Sequence, residues 1–266
     1  MVGLPKIHRG GFSRRSTGDD MGIAVLLKQV PDTTAKISVS GGRVDESAVN
    51  KWSMSPYDEY ALESALQLKE SGGGDLVAIT CGPTRAAKML TDAAAVGADS
   101  LLHILVEDIS ALDSTQVQSI LAAAVAHSGS DIVFCGKQAA DTNAGSTGPG
   151  VAHLMDASCV TMVSEVVSDG SSLTAMRASS DGNERVAVSA PCVFAFDKGI
   201  IELRRPNVRG IMMAKKKVAE TLGPADLGVD ISTSSVSIVG HTPPPQKPPG
   251  QKFEGADSVA EVVGKL

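Results

Sequence analysis

Four short apolar runs, "GIAVLLKQV" (22–30), "DLVAITCG" (75–82), "SLLHILV" (100–106) and "DIVFCG" (131–136), constrain the fold of this chain more than any other feature. None has a polar face, so each predicts a strand covered on both sides. Helical stretches lie between them. After Pro56, the residues Tyr57, Tyr60, Ala61, Ser64, Ala65 and Leu68 recur at helical spacing and form one small-residue face. Ala86, Met89, Leu90, Ala93 and Ala94 form a second stripe that stops at Gly97. A third helix, capped by Asp113 or Ser114, carries Val117, Ile120, Leu121, Ala124 and Val125. Buried strands alternating with helices predict an α/β fold with a mostly parallel, doubly wound sheet.

Two stretches depart from that alternation. "ISVSGGRV" (37–44) reads as a short hairpin around Gly41-Gly42. Beyond Ser158, "SCVTMVSEVV", "LTAMRAS" and "NERVAVSA" predict an antiparallel excursion with turns at Asp169-Gly170 and Asp181-Gly182, after which "CVFAF" (192–196) returns to the sheet. The expected organisation is a leader over residues 1–20, an α/β domain over 21–222, and a Pro-rich C-terminal arm over 223–266 that ends in a short helix and packs on a partner. The Arg-rich leader reads equally as a mitochondrial presequence, a tag or an upstream start before Met21.

Composition narrows the function classes. A net charge of −6 gives no overall attraction to nucleic acid or anionic lipid. No apolar stretch approaches the ~20 residues of a membrane span. Cys81, Cys135, Cys159 and Cys192 contain no CxxC pair and read as buried, reduced thiols. The five histidines, His8, His103, His127, His153 and His241, are scattered without metal-ligand spacing. No acid/base cluster or GxSxG appears, so any chemistry here belongs to a cofactor, with a second chain supplying much of its site.

The fourth apolar run leads into "GKQAADTNAGSTGPG" (136–150), fifteen small, polar, turn-forming residues ahead of a helix expected from Gly148 to Met155. At the carboxyl end of a parallel strand such a loop can turn amides toward an anion, helped by the helix dipole and by Thr142, Asn143, Ser146 and Thr147. It is neither a Walker loop nor GxGxxG, and a solvated connection is the competing reading. "KQVPD" (28–32) and "SMSPYDE" (53–59) arrive at the same edge, with Ser53 or Ser55 available as a helix cap. The strand ends at Leu26-Leu27 and 78–81 could form an adenine slot.

A second polar feature is "IIELRRPNVRGIMMAKKK" (200–217), with Arg204, Arg205, Arg209 and Lys215 to Lys217 against one acid, Glu202. Its centre, Pro206-Asn207-Val208-Arg209-Gly210, reads as an exposed loop with an apolar tip. A steered docking loop, a nucleic-acid patch and a solvated face all fit that composition, although aromatic stacking residues are absent.

The motifs "LLKQVPD", "MSPYDEYALESALQLKE", "AITCGP", "AVGAD", "GKQAADTNAGSTG" and "GIMMAKKK" together resemble the β subunit of electron-transfer flavoprotein, the family that includes the FixA proteins. The resemblance runs from about Ile23 to Leu222. It implies an adenine nucleotide α-hydrolase-like sheet and an electron carrier rather than an enzyme. It also implies a heterodimer with an α subunit and an interface FAD held mainly by α. AMP, or a second FAD in bifurcating members, would sit in this chain. Motif matching places that nucleotide against Leu26, the segment Ser55, Pro56, Tyr57 and Asp58, Cys81, and the loop Gly136, Lys137, Gln138, Ala139, Ala140, Asp141, Thr142, Asn143, Ala144, Gly145, Ser146 and Thr147.

The family's docking loop matches Arg205, Pro206, Asn207, Val208, Arg209 and Gly210. The implied partners are flavin dehydrogenases such as acyl-CoA dehydrogenases and a quinone-linked oxidoreductase, with no nucleic acid and no membrane insertion. The implied compartment is the cytoplasm in a prokaryote, or the mitochondrial matrix if residues 1–20 are a presequence. Departures fall at both sites: "IELRRPNV" stands where many members read "NEPRYPSL", and "DTNAGSTGP" where housekeeping members read "DDDxNQTGQ". A nucleotide sensor of the same architecture, without a redox role, is the alternative of another class.

Overall fold

The computed structural model describes residues 22–169, 172–199, 201–247 and 249–265; the expected leader, Met21, Gly170 and Ile200 lie outside the described residues. Among the described residues, those from 22 to 36 and from 49 to 237 form one compact unit, and those from 37 to 48 and from 238 to 265 form another.

In the larger unit the strands are β1 (Ile23–Leu26), β2 (Gln29–Pro31), β5 (Trp52–Met54), β6 (Leu76–Gly82), β7 (Ser100–Leu105), β8 (Ile132–Gly136), β9 (Ser158–Ser168), β10 (Leu173–Ser179), β11 (Gly182–Val188), β12 (Cys192–Phe196) and β13 (Glu220–Leu222). The helices are α1 (Pro56–Leu68), α2 (Ala87–Val96), α3 (Ser114–Ser128), α4 (Thr147–Met155) and α5 (Val208–Ala214). The smaller unit holds the hairpin of β3 (Val39–Ser40) and β4 (Arg43–Val44) and the helix α6 (Val259–Val263). Within it the amide of His241 donates to the Gly42 carbonyl at 2.8 Å.

Nine strands share one sheet in the order β11-β10-β9-β12-β8-β1-β6-β7-β13. All its pairings are parallel except those of β10 with β9 and β11, the expected antiparallel excursion. Alternation along the strands sends side chains to two cores, as the pleat requires. Ile23, Val25, Ile132, Phe134, Cys192, Phe194 and Phe196 pack with α1 and α2 on one face, whereas Ala24, Leu26, Val133, Cys135, Val193 and Ala195 pack with α3 and α4 on the other. Phe134 has ring centroids 5.5 Å from both Phe194 and Phe196, an aromatic contact at the middle of the first core.

The run 22–30, read as continuous, divides into two strands. Between β1 and β2 the amide of Lys28 turns out of the ladder and donates to the Asp58 carboxylate at 2.7 Å, while β2 pairs with β5. The chain can break there because a side chain replaces the lost sheet partner.

Helix α3 begins with a capping box: Asp113 accepts from the Gln116 amide and Gln116 accepts from the Asp113 amide, both at 2.9 Å. The other Asp113 oxygen takes the amides of Ser235 and Val236, and Gln116 Nε2 donates to the carbonyls of Ile231 and Thr233. One cap thus also holds residues 231–236 along α3. These donors, the Gln116 amide first, keep the Asp113 carboxyl below its ordinary range. His103 is buried in β7 with Nε2 at 2.9 Å from the Gly82 carbonyl, a core position.

Candidate functional site

From β1 the chain proceeds outward to β6 and β7, then returns to lay β8 on the opposite side of β1. The crevice beyond the carboxyl ends of β1 and β8 is therefore the switch point of the sheet, where open α/β folds bind ligands. Asp58, in the first turn of α1, spans it. Its Oδ2 accepts from the Lys28 amide just after β1, and its Oδ1 accepts from the Gly136 amide at the end of β8 at 2.9 Å. Burial pushes the Asp58 carboxyl up to about 7, against the two amides that stabilise its charge. Gly136 is required by this approach: a Cβ there would collide with Asp58 Oδ1 and come within 2.7 Å of the Tyr57 Cβ.

The loop after β8 is folded upon itself. The amide of Lys137 donates to the Phe196 carbonyl at 2.7 Å, which ties the loop to β12. The Asn143 amide donates to the Ala139 carbonyl at 2.9 Å, and the Gln138 amide group donates to Asn143 Oδ1 at 2.9 Å. Positive φ at Asn143 (52°) and Gly145 (67°) then reverses the chain into α4. Both nearby lysines are paired: Lys28 Nζ lies 2.8 Å from Asp141, and Lys137 Nζ lies 2.9 Å from Asp197 and 5.3 Å from the Tyr57 ring centroid. An anion in the crevice would meet amides and hydroxyls more than unpaired cations. The first turn of α4 presents the amides of Thr147 and Gly148 without intrahelical partners, and Pro149 has no N–H there to satisfy.

Ser55 stands at the N-cap position of α1, but its hydroxyl makes no cap bond. Its Oγ is fully buried with no hydrogen-bond partner. An orphaned buried hydroxyl beside the switch point fits a ligand group that would complete it. Leu26 is buried in register with Ile79 and Cys135, and Thr80 Oγ1 donates to the Leu27 carbonyl at 2.8 Å, which fixes the strand ends. Cys81 follows on β6; burial pushes its thiol up to about 12, and Cys135 higher than its ordinary range, so neither supplies a thiolate at neutral pH. Cys159, expected to be buried, is exposed on β9.

Pro56, Tyr57 and residues 137–140 and 145–147 are partly exposed, and residues 141–144 are open to solvent. Asp197 and Gln118 escaped the sequence reading, although Asp197 directly follows β12 at the same sheet edge. Gln118 donates from α3 to the Ser146 carbonyl at 3.1 Å. Among the described residues, no group of three or more His, Cys, Asp or Glu could hold a metal ion, and no helix is long and apolar enough to cross a membrane.

The segment 206–210, read as a loop, turns into helix at its centre. Asn207 caps α5 by accepting from the Gly210 amide at 2.7 Å, so Val208, Arg209 and Gly210 form the first helical turn. Val208 is 75% exposed, and Ile211 and Met212 lie three and four residues on, on the same side of the helix and also exposed. Arg205, Arg209, Lys215 and Lys216, close to this stripe in sequence, are exposed as well, whereas Lys217 is tied down to the carbonyls of Ala98 and Asp99.

A family model described as the electron transfer flavoprotein domain matches residues 44–227. The electron transfer flavoprotein subunit beta of Bacillus subtilis (strain 168) is 32% identical over 251 residues, spanning 92% of this chain and 97% of that protein. The human protein of the same name is 34% identical over 251 residues, spanning 93% and 97%. The mitochondrial electron transfer flavoprotein subunit beta of Oryza sativa subsp. japonica is 34% identical over 245 residues, spanning 91% and 96%. With the parallel sheet, the switch-point crevice and near-complete coverage of these relatives, the chain belongs to the electron transfer flavoprotein family, among its β subunits.

Proposed function

We propose that this chain pairs with an α subunit that holds most of an interface FAD, and that AMP occupies the crevice between β1 and β8. Leu26, Ser55 to Asp58, Cys81 and Gly136 to Thr147 would surround the AMP, with its phosphate toward the first turn of α4. Bound FAD would supply the redox chemistry, with flavin dehydrogenases such as acyl-CoA dehydrogenases as electron donors and a quinone-linked oxidoreductase as acceptor. This chain's residues hold and orient; AMP takes no part in redox. The single observation that carries the nucleotide reading is the buried, unpartnered Ser55 hydroxyl beside the switch-point crevice. The exposed Val208 stripe, with exposed Arg205, Arg209, Lys215 and Lys216 near it in sequence, supports docking to a partner with an apolar pocket and an acidic rim.

The Gly148-Pro149 pair and the segment "PYDEYA" resemble members whose β subunit holds a second FAD, and favour a second reading in which this chain does so and the complex bifurcates electrons. Gly148 packs so that a Cβ would lie 2.9 Å from Cys135 Sγ, drawing the loop's end close to the sheet. The deciding experiment isolates the native heterodimer, releases its nucleotides with acid and counts them. One FAD with one AMP supports the conventional carrier; two FAD without AMP supports bifurcation. A colourless, flavin-free complex would overturn both and leave a nucleotide sensor.

A further inference from the structure

Arg204 falls in sequence between β12 and α5, and its whole guanidinium is engaged. Nε donates to both Glu63 oxygens at 2.9 and 3.1 Å, Nη2 reaches Glu63 Oε1 at 2.9 Å and Glu70 Oε2 at 3.1 Å, and Nη1 binds Glu70 Oε1. The Arg204 amide also donates to Glu63 at 3.1 Å. Glu63 is buried on α1, and Gln67 donates to it at 3.2 Å. The two carboxylates stand two helical turns apart, so one planar fork reads both, a geometry that a lysine ammonium cannot reproduce.

Around this fork, residues 201–207 have no regular structure of their own. Asn207, the cap of α5, is three residues beyond Arg204. Three residues further the helix meets a second restraint: Gly210 lies so close to the Ala95 carbonyl of α2 that a Cβ would overlap it, and Ala214 is buried in the core. The segment is therefore held to α1 on one side and to α2 on the other, and its exposed apolar stripe is left to project from a fixed base.

We infer that Arg204 is a positioning residue for partner docking: its clamp on Glu63 of α1 and on Glu70 just past the end of α1 presets α5, so that Val208 and Met212 meet a donor dehydrogenase without an ordering step. The inference rests on the docking reading of α5. A preset surface binds more tightly because less conformational entropy is lost on association. Loss of the clamp should thus weaken encounter while leaving the electron-transfer step unchanged once the complex has formed.

The test uses the intact heterodimer, with an acyl-CoA dehydrogenase that reduces the wild-type complex as donor. Arg204→Met is expected to speed amide exchange across residues 208–214 and to raise the donor KM about tenfold, with kcat and flavin content unchanged. Arg204→Lys, which keeps the charge without the fork, should fall between wild type and Arg204→Met. If Arg204→Met fails to fold, Glu70→Gln removes the exposed half of the clamp and should produce the same two changes at smaller size. Unchanged exchange in α5, or an unchanged KM, overturns the inference. Val208→Asp run in parallel separates the two ideas: if it leaves KM unaltered, the docking reading fails, and the exchange data alone then decide whether Arg204 presets the helix.

Discussion

The crevice between β1 and β8 and the segment around α5 are both bound to helix α1 by carboxylates, yet in opposite ways. At the crevice, Asp58 is buried and its carboxylate accepts two backbone amides. At the α5 segment, Glu63 is equally buried but is answered by a guanidinium. A carboxylate on amides fixes the main chain of two strands and leaves nearby side chains for a ligand. A carboxylate on arginine fixes one side chain and leaves the following residues to face outward. The same chemical group, a buried carboxylate on α1, therefore makes an interior site in one place and an exterior one in the other.

The largest expected effect tests the interior half of this contrast. Gly136→Ala forces a methyl group against Asp58 and Tyr57 and should cost about 3 kcal/mol of stability, measured by denaturant unfolding of the heterodimer. Bound nucleotide should fall with it. Wild-type stability in Gly136→Ala would mean that the strand ends are free to separate, and the clamp would lose its meaning.

The second effect is a pH dependence. Asp58 has an ordinary carboxyl value of 3.8, raised to about 7 in the fold. Between those values the unfolded chain has released a proton that the folded chain retains, so the contribution of Asp58 is full below about 4 and is lost as pH rises through about 7. Unfolding free energy followed from pH 4 to 8 should decline more steeply in wild type than in Asp58→Asn. The Asn variant should also be less stable at pH 4, because its NH2 group faces an amide donor where an oxygen had accepted. Parallel pH profiles would show that Asp58 does not titrate in this window.

The smallest effect on stability belongs to the exterior half. Val208→Asp should alter unfolding by less than about 0.5 kcal/mol, since the side chain is largely exposed. Its effect should appear only in the donor KM, as above. Together with Arg204→Met it sharpens the comparison: one variant changes what α5 presents, the other changes how firmly α5 is held.

Much of the fold was legible in residue order. Apolar runs without a polar face gave buried parallel strands, and the small-residue stripe of α1 gave a helix seated closely on the sheet. The candidate crevice was legible through turn-forming residues at the end of β8. Other features were not, because they depend on partners distant in sequence. The break after Leu26 arises from Asp58, thirty residues beyond Lys28. The exposed loop expected at 206–210 is in part a helix, because the Asn207 cap and the contact of Gly210 with Ala95 stabilise a turn that local composition does not reveal. Asp197 carried no signal of its own, since only the parallel return of β12 beside β8 brings it to Lys137.

By itself the sequence determined the α/β class, the antiparallel excursion and membership of the electron transfer flavoprotein family, since periodicity and ordered motifs are local properties of the chain. The tertiary structure alone decided which groups meet: the switch point that sets Lys28, Asp58 and Gly136 together, the pairing of both crevice lysines, and the fork of Arg204 on α1. Those are contacts between residues about 30 to 140 positions apart. Burial and hydrogen-bond geometry choose among such pairings only once the sheet has brought them within reach.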